Sequence, residues 1–118
     1  MTTRRRVIAD HRASYPDALV IAVGEVLNVV DRETAWSGWI WCVDGAGKGA
    51  WVPGEFLDRR GDTCVALRDY DSTELDVSMG DIVEAGEATS GWVWCVDSRG
   101  NRGWVPARSL APVDDVPA

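Results

Sequence analysis

Histidine, phenylalanine and tyrosine are scarce in this chain of 118 residues, with one His, one Phe and two Tyr. A single imidazole leaves no His-rich metal set and no H-E-x-x-H motif. The three cysteines, Cys42, Cys64 and Cys95, form no C-x-x-C, and their odd number is the pattern of free thiols rather than of a disulfide framework. No G-x-S-x-G and no phosphate-binding glycine loop occurs. The expectation is therefore a protein that is not an enzyme and needs neither cofactor nor metal. No apolar run approaches the roughly 20 residues of a membrane span. The N-terminal Arg4-Arg5-Arg6 is not followed by the ~7–15 apolar residues of a secretory signal, so a cytoplasmic location is expected. Positive charge is also short: 12 Lys and Arg stand against 19 Asp and Glu, a formal net charge of −7 at pH 7. Such a chain repels phosphate backbones and anionic lipid, which excludes nucleic acid and membrane as expected partners. Basic protein segments are the complementary class.

Tryptophan is abundant, with seven residues in a sequence that is 46% hydrophobic. Six of the seven belong to an internal repeat. Residues 39–57 (W-I-W-C-V-D-G-A-G-K-G-A-W-V-P-G-E-F-L) align without a gap to residues 92–110 (W-V-W-C-V-D-S-R-G-N-R-G-W-V-P-A-R-S-L), and 10 of the 19 positions are identical. Upstream, Gly24-Glu25-Val26-Leu27 matches Gly80-Asp81-Ile82-Val83, and Ile8-Ala9-Asp10-His11 matches Leu67-Arg68-Asp69-Tyr70. The offset grows from 53 to 56 to 59. The first copy thus carries extra residues in 12–23 and in 31–38, where loops are expected.

The short β-branched runs Val26–Val30, Trp39–Val43 and Ala50–Pro53, punctuated by Gly turns, predict strands of a small barrel or sandwich. Segments 45–48 and 98–102 predict turns, and the residues after Pro53 and Pro106 allow one 3₁₀ turn each. No stretch has helical period. The repeat boundaries predict a disordered N-terminus at 1–6, a domain at 7–58, a short linker at 59–64, a domain at 65–112 and a tail at 113–118.

The second copy resembles the SH3 family over nearly its whole length. Ala66-Leu67-Arg68-Asp69-Tyr70 is similar to the family's A-L-Y-D-Y opening, Gly80-Asp81 to its second strand entry, Gly91-Trp92 to its tryptophan strand, and Gly103-Trp104-Val105-Pro106 to its G-Y-I-P strand. The first copy resembles the bacterial variant of the family, with Tyr15-Pro16-Asp17 in a longer RT loop. The resemblance implies an all-β chain of two tandem SH3-like five-stranded small barrels. It also implies one peptide groove per barrel. Carried over by repeat, the first floor is His11, Trp39, Pro53 and Phe56. The second is Tyr70, Trp92 and Pro106, with Arg68 and Ser109 in place of tyrosines.

Indole faces stack on proline rings, and a polyproline segment has little entropy to lose. Loop acids beside such grooves, among them Asp17, Glu33, Glu74 and Glu87, would pair with Arg or Lys of a ligand; the alternative is that they only solvate the surface. Trp36 has no counterpart in the second copy, which makes it a candidate for ligand or interdomain contact. Trp41, Trp51, Trp94 and Trp104 are expected mainly to pack. Cys42 and Cys95 are expected to be buried and Cys64 accessible. The functional expectation is a binding module for a protein or peptide, basic or proline-containing. The alternative is a structural module whose grooves mediate interdomain or homo-oligomer contacts.

Overall fold

The computed structural model describes residues 3–13, 18–34 and 37–113. In chain order the strands are β1 (Thr3–Val7), β2 (Val20–Ile21), β3 (Val26–Val30), β4 (Trp39–Val43), β5 (Gly49–Pro53) and β6 (Leu57–Arg60). They continue as β7 (Thr63–Ala66), β8 (Tyr70–Asp71), β9 (Ile82–Thr89), β10 (Trp92–Val96), β11 (Arg102–Pro106) and β12 (Leu110–Pro112). Single 3₁₀ turns, Gly54–Phe56 and Ala107–Ser109, follow Pro53 and Pro106 as expected. No α-helix occurs among the described residues, and none is long and apolar enough to cross a membrane. The all-β fold is consistent with an SH3-like architecture.

Two compact units are present, and they do not follow the repeat boundaries. One, the continuous unit, is Tyr15–Thr73; the other, the split unit, joins Met1–Ser14 to Glu74–Ala118. The continuous unit contains an antiparallel sheet in the order β5-β4-β3-β7-β6, with the short pair β2-β8 beside it. The split unit contains an antiparallel sheet in the order β11-β10-β9-β1-β12. Position for position these are the same sheet: β3 corresponds to β9, β4 to β10, β5 to β11, β6 to β12 and β7 to β1.

The backbone hydrogen bonds show the exchange. The Gly80 amide donates to the Val7 carbonyl at 2.8 Å, as the Gly24 amide does to Ala66 at 2.7 Å. Val7 in turn donates to Asp81, as Ala66 does to Glu25. Ile8 donates to Ser109, as Leu67 does to Phe56. The opening arm of each repeat is therefore built into the body of the other.

The cause is local. Arg60 pairs with Thr63, which leaves Gly61-Asp62 as a two-residue loop between β6 and β7. Gly61 has φ +65°, the sign that a type II′ hairpin turn requires at its first central position. A two-residue loop keeps its flanking strands paired, so β7 cannot leave for a second body. Segment 59–64, expected as a linker, is thus a hairpin, and the domain limits 7–58 and 65–112 give way to the division above.

The N-terminal arginines also differ from expectation. Arg4, Arg5 and Arg6 stand in β1 between β9 and β12, with Arg4 opposite Glu84 and Arg6 opposite Ile82 and Ala111. Ladder bonds on both sides and the fully buried Val7 hold this segment in place. Arg4 and Arg6 reach solvent.

Each sheet buries one face by period-2 alternation. In the split unit Val7, Leu75, Val77, Val83, Ala85, Cys95 and Val105 form the core. Their counterparts in the continuous unit, among them Ala66, Leu19, Ile21, Leu27, Cys42 and Val52, are buried too. The turns after β4 and β10 are tied by one carboxylate each. Asp44 Oδ1 accepts from the Ala46 and Lys48 amides, and Asp97 Oδ1 from those of Arg99 and Asn101, all at 2.9 Å. Burial pushes the Asp97 carboxyl up. The Asn101 and Arg99 amides, the Asn101 side chain and the Arg99 charge outweigh this and hold it below the usual carboxylate range.

Candidate functional site

The aromatic residues of β4 and β5 share one sheet face because cross-strand partners point the same way. Trp39 lies opposite Pro53, and Trp41 opposite Trp51. Alternation sends Cys42 to the core and leaves Trp39, Trp41 and Trp51 half-buried on the outer face. The same register places Trp92 opposite Pro106 and Trp94 opposite Trp104 in the split unit.

The exchange decides which ring from the opening arms joins which floor. In the continuous unit Tyr70 is paired with Ile21, and its hydroxyl donates to the Trp51 carbonyl at 3.1 Å. Its ring meets Phe56 edge-to-face, with centroids 5.7 Å apart. Tyr70, Phe56, Pro53 and Trp39 are thereby linked in one unit. Arg68, standing where the family has a tyrosine, lays its guanidinium over the outer face of Phe56 at 4.2 Å. A planar cation thus covers the ring that a phenol would otherwise flank.

In the split unit the arm supplies His11, which bridges to Val77. Its ring stands edge-to-face on Trp92 at 5.3 Å. Nε2 lies 2.9 Å from Glu74 Oε1, and both side chains are only 13% exposed. The Glu74 backbone bridges to Trp104, and the Leu75 amide donates to the Trp104 carbonyl. Arg12 fastens the arm by donating to the carbonyls of His11 and Val77 and to Ser78 Oγ.

The expected groupings are therefore exchanged. His11 joins Trp92, Pro106 and Glu74, not Trp39, Pro53 and Phe56. Tyr70 joins Trp39, Pro53 and Phe56, not Trp92 and Pro106. The reason is the Gly61-Asp62 hairpin, which carries the second opening arm into the first body. Pro53, Phe56, Tyr70 and Pro106 are buried, and Ser109 is buried at the place equivalent to Phe56. Glu33 is exposed, as is Glu87. Trp36 and Asp17 lie outside the described residues.

Residues 63–113 match the family model of the variant SH3 domain. No solved structure matches the chain. The matched stretch is similar to a protein-interaction module in the general sense, and it crosses the division of the fold. Residues 63–73 belong to the continuous unit and 74–113 to the split one. A contiguous family pattern is thus read by one unit at its beginning and by the other for the rest.

The thiols also depart from expectation at one position. Cys42 and Cys95 are buried in separate units, but Cys64 is buried as well, 3.8 Å from Cys42 Sγ to Sγ. Cys64 reaches this place because β7 packs into the continuous unit. Burial, then the neighbouring Cys64, pushes the Cys42 thiol up to about 12, against a lowering by Arg59. Burial pushes Cys95 up to about 11. Such thiols hold little thiolate and act as small apolar side chains.

Proposed function

We propose that the chain is a non-catalytic, cytoplasmic binding module of two SH3-like barrels, each offering an aromatic groove to a protein or peptide segment. The supporting observation is the composition of the continuous unit's floor. Its Tyr70 comes from one repeat and its Trp39, Pro53 and Phe56 from the other, so the exchange brings a tyrosine to the floor that retains its second ring. The ligand is a proline-containing segment with basic side chains. Proline rings stack on Trp39, and acids such as Glu33 in the continuous unit and Glu74 in the split unit attract the basic groups.

The continuous unit binds more tightly, because the split unit has Ser109 in place of Phe56 and His11 in place of Tyr70. Screening a library of basic, proline-containing peptides by the indole N–H signals tests this. Ligands should perturb Trp39 at lower concentration than Trp92. Trp39→Ala should lose about 2 kcal/mol or more of affinity, with its thermal transition showing that the fold persists. A library without ligands, or a Trp39→Ala variant with unchanged affinity, refutes the groove.

An assembly role has one observation in its favour. Val20, Val23, Val26 and Leu67 of the continuous unit are 56–69% exposed. A concentration-dependent dimer lost on Leu67→Lys would support that reading instead.

A further inference from the structure

The two units differ in what lines one part of the core. In the continuous unit Cys42 of β4 lies opposite Val29 of β3, and Cys64 of β7 lies opposite Leu27 of β3. The two strands flank β3 on either side, and both thiols are fully buried. Their Sγ atoms are 3.8 Å apart. Arg59 of β6 stands opposite Cys64, and cross-strand partners share a sheet face. Its guanidinium donates to the Gly61 carbonyl at 3.0 Å and to Asp31 at 3.3 Å, and the side chain is 43% exposed. The thiol pair is thus dry, with one cation at its edge. In the split unit Cys95 holds the place of Cys42 and is equally buried. Arg5, opposite Val83, takes the place of Cys64, and Pro112 takes that of Arg59. Cys95 therefore has no second thiol beside it.

Two touching thiols invite either a disulfide or a shared metal ion. The strand order argues against the disulfide. Strands one removed in a sheet are roughly 9–10 Å apart, and a disulfide needs Cα atoms within about 7 Å. Closing an S–S bond would drag β4 and β7 together over β3. An ion fits the sulfurs where they stand. Two metal–sulfur bonds of about 2.3 Å span about 3.8 Å at the tetrahedral angle and about 4.6 Å in a line. No group of three or more His, Cys, Asp or Glu among the described residues is placed to hold an ion. Four-coordinate zinc is therefore the wrong match. Thiolate ligands without nitrogen or oxygen partners select a soft ion that is content with two of them.

We propose that Cys42 and Cys64 form a two-coordinate site for a soft monovalent metal ion of the copper(I) class, with Arg59 as its counter-charge. Binding breaks two S–H bonds, forms two metal–sulfur bonds and releases two protons, with no change of oxidation state. Without the ion the thiols stay protonated, because burial and the neighbouring sulfur both disfavour thiolate at Cys42. A bound cation reverses that balance. The resulting complex carries one negative charge, which the Arg59 guanidinium offsets. The bridge ties β4 to β7 across β3, so it acts on the continuous unit. The site goes beyond the binding-module reading above and does not depend on it.

The test uses the full reduced chain in the absence of oxygen, with silver(I) as a redox-inert probe and zinc(II) as a borderline control. One silver ion should bind per chain, with an ultraviolet thiolate-to-metal band. The thermal transition of the continuous unit should rise with ion concentration. Amides of β4 and β7 should exchange more slowly, while those of β10 stay unchanged. Zinc at equal concentration should not compete. Cys64→Val keeps an apolar side chain of similar size and should weaken uptake about 10²–10⁴-fold, the range for losing a second linked contact. Cys95→Ala should leave uptake as it is. The thermal shift of the unaltered chain decides the question even where a cysteine variant fails to fold. A transition lowered by silver, the mark of binding to the unfolded chain, overturns the site. Uptake that survives Cys64→Val, or that is lost with Cys95→Ala, overturns it too. So does zinc bound as tightly as silver, or a Cys42–Cys64 disulfide formed by air in the native chain.

Discussion

The continuous and split units carry the same sheet order, matching core positions and matching turns, yet they differ in chain path. The continuous unit uses one uninterrupted segment. The split unit must bring residues from both sides of that segment together. Equal contacts therefore do not confer equal autonomy. A sheet whose strands come from one short segment pays little loop-closure entropy, whereas one split by an insertion depends on the insertion staying compact.

The largest test of this contrast is truncation. Residues 15–73 should unfold cooperatively as an isolated fragment, by circular dichroism and tryptophan fluorescence. Residues 65–112 should not fold, because they lack β1 and carry only Val65 and Ala66 of β7, without the strands that pair with it. A folded 65–112 fragment would break the comparison and restore a tandem arrangement.

A second test asks how damage spreads. Leu27→Ala, in the core of the continuous unit, should cost about 2–5 kcal/mol there. Once the continuous unit is unfolded, the split unit must close a loop that spans all of Tyr15–Thr73. That closure costs a further ~3–4 kcal/mol. Leu75→Ala, in the core of the split unit, should leave the continuous unit intact. Hydrogen exchange of β4 and β10 amides separates these outcomes. Equal spreading in both directions would show that the units do not differ in autonomy.

The hairpin that sets the exchange is sharpened by Gly61→Val. A β-branched residue at φ +65° should cost about 1–2 kcal/mol or more, read in the denaturant midpoint of the continuous unit. Tyr70→Phe removes the hydroxyl donation to Trp51 and should cost about 0.5–1.5 kcal/mol in the same unit, while His11→Phe acts only on the split unit. The smallest effect belongs to Asp97. Its folded carboxyl lies below the unfolded value, so its contribution is present above the ordinary Asp range and is lost as pH falls through the folded value. Asp97→Asn should flatten that acid limb for the split unit, followed by the Trp94 and Trp104 signals.

Much of this was legible from residues alone. Val26–Val30 and Trp39–Val43 formed strands at those limits because β-branched and aromatic runs between glycines leave few other options. Both 3₁₀ turns followed their prolines. Burial of Cys42 and Cys95 followed from the resemblance, which has a small core residue at that point of the strand. The grouping of the floor was not legible in this way. His11 and Tyr70 are assigned by repeat number only if each arm stays with its own body, and alignment contains no term for that choice. Cys64 was misplaced for the same reason. Arg4–Arg6 read as a loose end because three charges in a row carry no strand signal until β9 and β12 bracket them.

The sequence by itself determined the strands, the turns, the repeated core and the twofold supply of tryptophan faces. Side-chain alternation and glycine conformations are local properties, and two copies of one pattern give two copies of one sheet. Tertiary structure alone decided which arm completes which sheet. The two connectivities share nearly every ladder bond. The difference between them lies in a two-residue hairpin and in the loops that cross, and it becomes visible only when β1 is found beside β12 and β7 beside β6.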